Sequence, residues 1–147
     1  MILRLSPALV DQFAEHGQQA YPQEAAGLLL GVMDGQDRVV EHMLPMPNTF
    51  DEAERGRRYQ IDPRQMIEAE ARAEALGLEI IGVFHTHPDH PPVPSAFDLE
   101  RALPWLVYLI TSIEDGRAVE HRAWRLDEAR RAFDEIQLSG LPALEDS

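Results

Sequence analysis

The 147-residue chain carries 26 acidic side chains against 13 basic ones, a formal net charge of −13, and no cysteine. That length fits one domain with its own core, and the missing cysteine excludes disulfide frameworks, thiolate metal sites and cysteine nucleophiles. The charge argues against nucleic acid as the main partner, because phosphate selects a basic face, and a hydrophobic content of 44% argues against disorder.

Every basic residue is arginine. Genomic compositional bias is the plain explanation, although a lysine-free chain also cannot carry a conjugate on a lysine amine. Arg4 and Asp11 interrupt the apolar start, and nowhere do about 18 apolar residues run together, so no signal or membrane segment is expected and the chain reads as cytoplasmic.

Met1–Leu5 reads as an edge strand. Ser6-Pro7 then gives an N-cap followed by a first-turn proline, with Leu9, Val10, Phe13 and Ala14 on one helical face and a stop near Gly17. Glu24–Gly31 reads as a buried strand, and the turn at 34–37 leads into a second strand over Arg38–Met46, a predicted hairpin. Pro47–Arg58 reads as a polar loop and Tyr59–Ile61 as a short strand. Asp62-Pro63 starts another helix, with Met66, Ile67, Ala69, Ala73 and Leu76 on its apolar face and Gly77 closing it. Leu78–Phe84 is a core strand, followed by a proline-rich loop and a short helix from Ser95 to Ala102. Trp105–Ile113 and Val119–Leu126 read as two further strands. Beyond Asp127, the charges suit a surface helix and Phe133–Leu138 suits a strand. No regular βαβ alternation is present, which predicts an α/β domain with a mixed sheet and flanking helices.

The chemistry is concentrated in Phe84-His85-Thr86-His87-Pro88 and Ser95-Ala96-Phe97-Asp98. Strand side chains alternate faces, so His85 and His87 emerge together, while Ser95 and Asp98 fall on one helical turn. Two imidazoles and one carboxylate are the donor set of an open hydrolytic zinc site, with the fourth position left to water. A lone His-x-His is more often packing than ligand; the full five-position pattern shifts that balance. Such a site also needs a base, and Glu24, among the small residues Ala25, Ala26 and Gly27, is the best candidate, though most glutamates are merely solvated.

Glu24, then His85-Thr86-His87-Pro88, six residues, and Ser95-Ala96-Phe97-Asp98 resemble the complete motif of the JAMM/MPN-plus metalloproteases, the family of the proteasome-lid and signalosome deubiquitinases. Tyr21–Gly31 resembles the family's first-strand segment, and Pro47-Asn48 with Arg58–Pro63 resembles its short stand-alone bacterial members, which process ubiquitin-like sulfur-carrier proteins. The resemblance implies a single-domain MPN (cytidine-deaminase-like) fold over residues 1–138 and a final strand rather than a helix; residues 139–147 read as a flexible tail. It implies one catalytic Zn²⁺ held by His85, His87 and Asp98, with Glu24 as general base and Ser95 assisting the water or the oxyanion. The implied reaction is hydrolysis after the C-terminal Gly-Gly of a ubiquitin-like or sulfur-carrier protein, releasing cysteine, a lysine-linked protein or a fused partner.

His90 reads as a solvated loop residue, since a fourth protein ligand would close the catalytic position. His16, His42 and His121 read as structural, the four prolines between 88 and 94 as loop stiffeners, and Trp105, Tyr108 and Trp124 as core. Asn48, Arg57 and Arg58, with Arg55, make the loop from Asn48 to Arg58 a candidate substrate-binding segment for an extended acceptor tail. A DNA-repair-associated relative of the superfamily and a non-catalytic MPN scaffold are the competing readings. The former is opposed by the acidic charge and the latter by the complete ligand set. The sequence leaves a homodimer open.

Overall fold

Ser6 and Pro7 open the first helix as the sequence predicts. In the computed structural model, which describes residues 1–140, the Ser6 hydroxyl accepts from Leu9 N at 3.2 Å and Pro7 starts α1 (Pro7–Ala20). Before it runs β1 (Ile2–Arg4); after it, β2 (Ala26–Asp34) and β3 (Asp37–Met46) form the hairpin, turning through Gly35 at φ 63°. A 3₁₀ turn (Glu52–Glu54) and α2 (Pro63–Ala75) lead to β4 (Glu79–Pro88), α3 (Ala96–Arg101), β5 (Val107–Glu114), β6 (Arg117–Asp127) and β7 (Ala132–Ser139). None of the helices among the described residues is long and apolar enough to cross a membrane.

The strands form one mixed sheet in the order β1-β3-β2-β4-β5-β6-β7, which closes on itself because β1 also pairs with β7. The β1/β3, β1/β7 and β4/β5 pairs are parallel and the rest antiparallel. Side-chain alternation divides the core in two. Leu29 and Phe84 face Leu9, Val10 and Phe13 of α1, whereas Leu28, Leu30, Val83 and Tyr108 face Ala69 and Ala73 of α2. By that parity His85 and His87 continue the Val83 face, and Thr86 turns toward α1.

Several expectations change, each for a physical reason. Met1–Leu5 contributes no edge strand, because β1 is flanked by β3 and β7. Gly17 does not stop α1. It is a buried residue inside the helix, and a Cβ there would sit 2.7 Å from Thr86 Cγ2 and 2.9 Å from Ile113 Cδ1. Glycine is thus required for close helix–sheet approach, not for a cap. Gly17→Ala is expected to destabilise the protein by about 1–3 kcal/mol, the usual range for overpacking, as a lower chemical-denaturation midpoint. A midpoint raised by the better helix former would contradict this packing.

Tyr59–Ile61 is not a strand: Gln60 N donates to the Asn48 side chain at 3.2 Å and its carbonyl accepts from Thr49 N at 2.9 Å, so the loop's own stem serves as partner. On α2, Ile67 is 66% exposed and Leu76 is also exposed, leaving the two alanines as the buried residues. Trp105 is 61% exposed rather than core. The chain after Asp127 is strand: β7 pairs with β6, Ile136 packing into the α1-side core and Phe133 against the α2-side core. Ser139 pairs with Arg4 in register, and the predicted tail lies, from residue 141 onward, outside the described residues.

Candidate metal centre

β4 runs three residues past its register with β2, which ends at Ala26↔His85, while β5 accompanies it to Pro88↔Ile113. His85 therefore sits on the last rung shared with β2, and His87 projects from a strand end paired with β5 alone. The segment before β2 is fastened to this end by Thr86, whose N–H donates to Ala25 O (3.1 Å) and whose Oγ1 accepts from Ala25 N (2.7 Å). Glu24 is held on both sides of its own backbone. Its N–H donates to Arg55 O at 2.7 Å, and its carbonyl accepts from Asn48 Nδ2 at 3.0 Å. The result is a glutamate side chain only 3% exposed, with Oε1 3.3 Å from His85 Nδ1.

The carboxylate of Asp98 arrives from the other side. Ser95 caps α3, its hydroxyl accepting from Asp98 N at 3.1 Å while Asp98 Oδ2 accepts from Ser95 N at 2.9 Å. This reciprocal capping box fixes the carboxylate against the helix start. The Ser-x-x-Asp spacing carries that signal in the sequence. Asp98 Oδ2 lies 3.1 Å from His87 Nε2, and Oδ1 lies 3.9 Å from His85 Nε2.

Whether these residues fit a metal is decided by what their nitrogens do. His85 Nε2 is buried with no hydrogen-bond partner, although the ring is fully enclosed and Tyr59 stacks on it at 4.3 Å. An orphaned buried nitrogen facing a carboxylate is costly unless something binds it. His87 Nδ1 contacts Pro91 O at 2.9 Å, which makes Nδ1 a donor to that carbonyl and turns Nε2 toward Asp98 Oδ2 at 3.1 Å. Donor atoms around a tetrahedral ion with bonds of ~2.0–2.1 Å sit ~3.3 Å apart, a value bracketed by the two Asp98 separations. The fit is good.

A second grouping exists, in which atoms of Glu24, His85 and His87 all lie within 4.8 Å of one another. Glu24, however, approaches the Nδ1 side of His85, opposite the free Nε2, and no ion can use both nitrogens of one ring. Asp98 instead lies on the Nε2 side of both rings, its Oδ2 3.1 Å from His87 and its Oδ1 3.9 Å from His85.

Electrostatics agree. Burial disfavours the Asp98 carboxylate, but the His85 ring, the His87 hydrogen bond and Ser95 N–H outweigh it and bring its pKa to about 2. Burial likewise opposes the His87 cation, yet Asp98, the Pro91 carbonyl and Glu24 leave its pKa raised. Burial is also the main reason that the Tyr59 hydroxyl is pushed well above the usual phenol range.

A cleft of about 510 Å³ opens beside the centre, lined by Glu24, Arg57, Arg58, His87, Ser95 and Phe97, with exposed His90 at its edge. A second cavity of about 260 Å³, largely apolar, lies across Phe97 and reaches Asp98, Tyr59 and Tyr108. Phe97 is the partition, with the Arg58 and Arg101 guanidinium groups over its ring at 4.7 and 4.6 Å.

The predicted loop residues thus separate. Arg57 and Arg58 reach the cleft. Asn48 does not line it: its Nδ2 donates to Glu24 O and Arg58 O, and its Oδ1 accepts from Phe50 N and Gln60 N. An amide with four backbone partners organises the loop instead of offering itself to a ligand. Sequence reasoning also missed Tyr59, whose stacking on His85 no motif signalled.

Residues 6–127 match the family described as prokaryotic homologs of the JAB domain. The chain is 39% identical over 110 residues to a desampylase of Haloferax volcanii, covering 74% of this chain and 75% of that one. It is 28% identical over 118 residues to a probable TtuB-protein conjugate cleaving protease of Thermus thermophilus, covering 80% and 75%. A Desulfitobacterium hafniense protein of known solution structure superimposes with a TM-score of 0.80 at 33% identity, covering 94% of this chain and 91% of the other. With the matching model spanning residues 6–127 and the site built from its strand and helix ends, the chain belongs to the prokaryotic JAB family of the JAMM/MPN fold.

Proposed function

We propose that this protein is a zinc-dependent hydrolase that cuts after the C-terminal Gly-Gly of a ubiquitin-like or sulfur-carrier protein, releasing cysteine, a lysine-linked protein or a fused partner. The observation that carries this reading is the convergence of His85 Nε2, His87 Nε2 and the Asp98 carboxylate beside a cleft that also holds buried Glu24. The substrate class is supported by the relatives, one named a desampylase and the other a probable TtuB-protein conjugate cleaving protease. We assign the protein to the cytoplasm together with such substrates.

In this reading His85, His87 and Asp98 hold the ion, which when bound would polarise the scissile carbonyl and acidify a water. Glu24 removes the proton of the attacking water and returns it to the departing amine. The Ser95 hydroxyl accepts from Asp98 N, so its own proton stays free to be donated to the carbonyl oxygen as negative charge develops there. Arg57 and Arg58 line the path of the acceptor's extended tail.

Metal binding should weaken on acidification. The ion requires neutral His87, whose raised pKa lets protons compete from a higher pH than at an ordinary imidazole, whereas Asp98 remains ionised down to about 2. In the metal-free protein the signs separate. The stability that His87 contributes is present below its unfolded pKa and lost as pH rises through the folded one; that from Asp98 is present above the unfolded value and lost as pH falls toward 2. Chelator competition for zinc from pH 8 to 5 should show falling affinity; an affinity constant down to pH 5 would contradict the imidazole ligands.

The function is tested by incubating the protein with two substrates and reading intact mass. One is a sulfur-carrier protein bearing an extra C-terminal cysteine, and the other a lysine-linked conjugate of a ubiquitin-like protein. Cleavage of either after Gly-Gly, stopped by chelator, supports the proposal. With zinc bound and neither substrate cut, the substrate class is wrong.

A further inference from the structure

The loop joining His87 to Asp98 includes Pro91, Pro92 and Pro94, three residues without an N–H. Proline rings fix φ yet cannot donate; within the loop Val93 N donates to Pro91 O at 2.8 Å, and the carbonyls on either side of it take donors from other elements. Those donors are specific. Ser112 Oγ donates to His90 O at 2.6 Å from β5, and Trp124 Nε1 donates to Pro92 O at 3.0 Å from β6. The carbonyl between them, Pro91 O, is the one that His87 Nδ1 contacts at 2.9 Å. Ser112 is also the register partner of His87 across the β4/β5 pair, so the clamp and the ligand share one rung of the sheet.

We infer that Ser112 and Trp124 are positioning residues for the metal centre. By holding the carbonyls on either side of Pro91, they fix the acceptor that orients the His87 ring and aims its Nε2 at Asp98. The inference rests on the reading of His87 as a ligand and reaches beyond it to two residues outside the five-position pattern. Partners of a ligating histidine typically change metal affinity by about 10–100-fold, and a clamp acting one bond further out is expected at the lower end.

The test compares wild type, Ser112→Ala, Trp124→Phe and the double variant, with Trp105→Phe as the control at an exposed tryptophan. Trp124→Phe keeps an aromatic ring in place and removes only the donor. Zinc dissociation constants come from chelator competition, and Co²⁺ loading supplies a ligand-field spectrum that reports His87 geometry. The expected result is zinc binding about tenfold weaker in the double variant with an altered Co²⁺ spectrum, smaller changes in each single variant, and none in Trp105→Phe. Unchanged zinc affinity and an unchanged spectrum, with only a lowered unfolding temperature of the metal-free protein, would make the clamp merely structural and overturn the inference. Wild type that binds no zinc would overturn the metal reading itself, and the clamp with it.

Discussion

Glu24→Gln should keep its zinc and its fold while losing about 10²–10⁴-fold in cleavage rate, the range that positioned acid–base groups contribute. Glutamine has the same shape and can still reach His85 Nδ1. The backbone anchors of this position, Arg55 O, Asn48 Nδ2 and the neighbouring Thr86 contacts, do not involve the carboxylate. What disappears is the capacity to take a proton from water and return it to the amine. Single-turnover cleavage, with metal content and unfolding temperature read on the same preparation, separates chemistry from folding. A variant within a few-fold of wild type would remove Glu24 from the base role.

Asp98→Ala should be the more damaging substitution, because two functions meet in one carboxylate. In the proposed site it would supply the anionic metal ligand, and it accepts from Ser95 N in the α3 capping box. Zinc affinity is expected to fall by more than about 100-fold, beyond what losing a ligand's hydrogen-bond partner costs. Loss of the bond from Ser95 N, with the Ser95 cap itself kept, should take about 1 kcal/mol from the metal-free protein as well. Because an ion bound only to the folded state raises its stability, chelator should lower the unfolding temperature of wild type and leave Asp98→Ala unmoved. An equal chelator effect in both would mean that the ion sits among Glu24, His85 and His87, whose atoms also lie within 4.8 Å of one another.

Local signals were the legible part of this fold. Ser6-Pro7 and Asp62-Pro63 start α1 and α2 where predicted, and the apolar runs became β2, β4 and β5. What the sequence hid was tertiary. Gly17 reads as a helix stop in one dimension but is a contact point against Thr86 in three. Ile67 and Trp105 look like core yet are exposed. The closure of the sheet through β1 and β7 depends on pairing residues 2–4 with 137–139, which no local pattern announces.

The site was legible for a similar reason. His85 and His87 obey strand alternation, and Ser95 and Asp98 obey helix spacing, so short-range geometry brings out both halves. The supports come from distant segments: Asn48 holding Glu24, Tyr59 covering His85, and Ser112 and Trp124 holding the proline loop. Their side chains are ordinary polar and aromatic residues, and only their placement gives them a role.

The most direct test of the central claim is a zinc titration of metal-free protein with cleavage of a Gly-Gly-tailed ubiquitin-like substrate as the readout. Activity should rise linearly and saturate at one zinc per chain, with His85→Ala inactive throughout. Full activity before any zinc is added, or saturation at one equivalent in the His85 variant, would contradict a single catalytic ion held by this strand end.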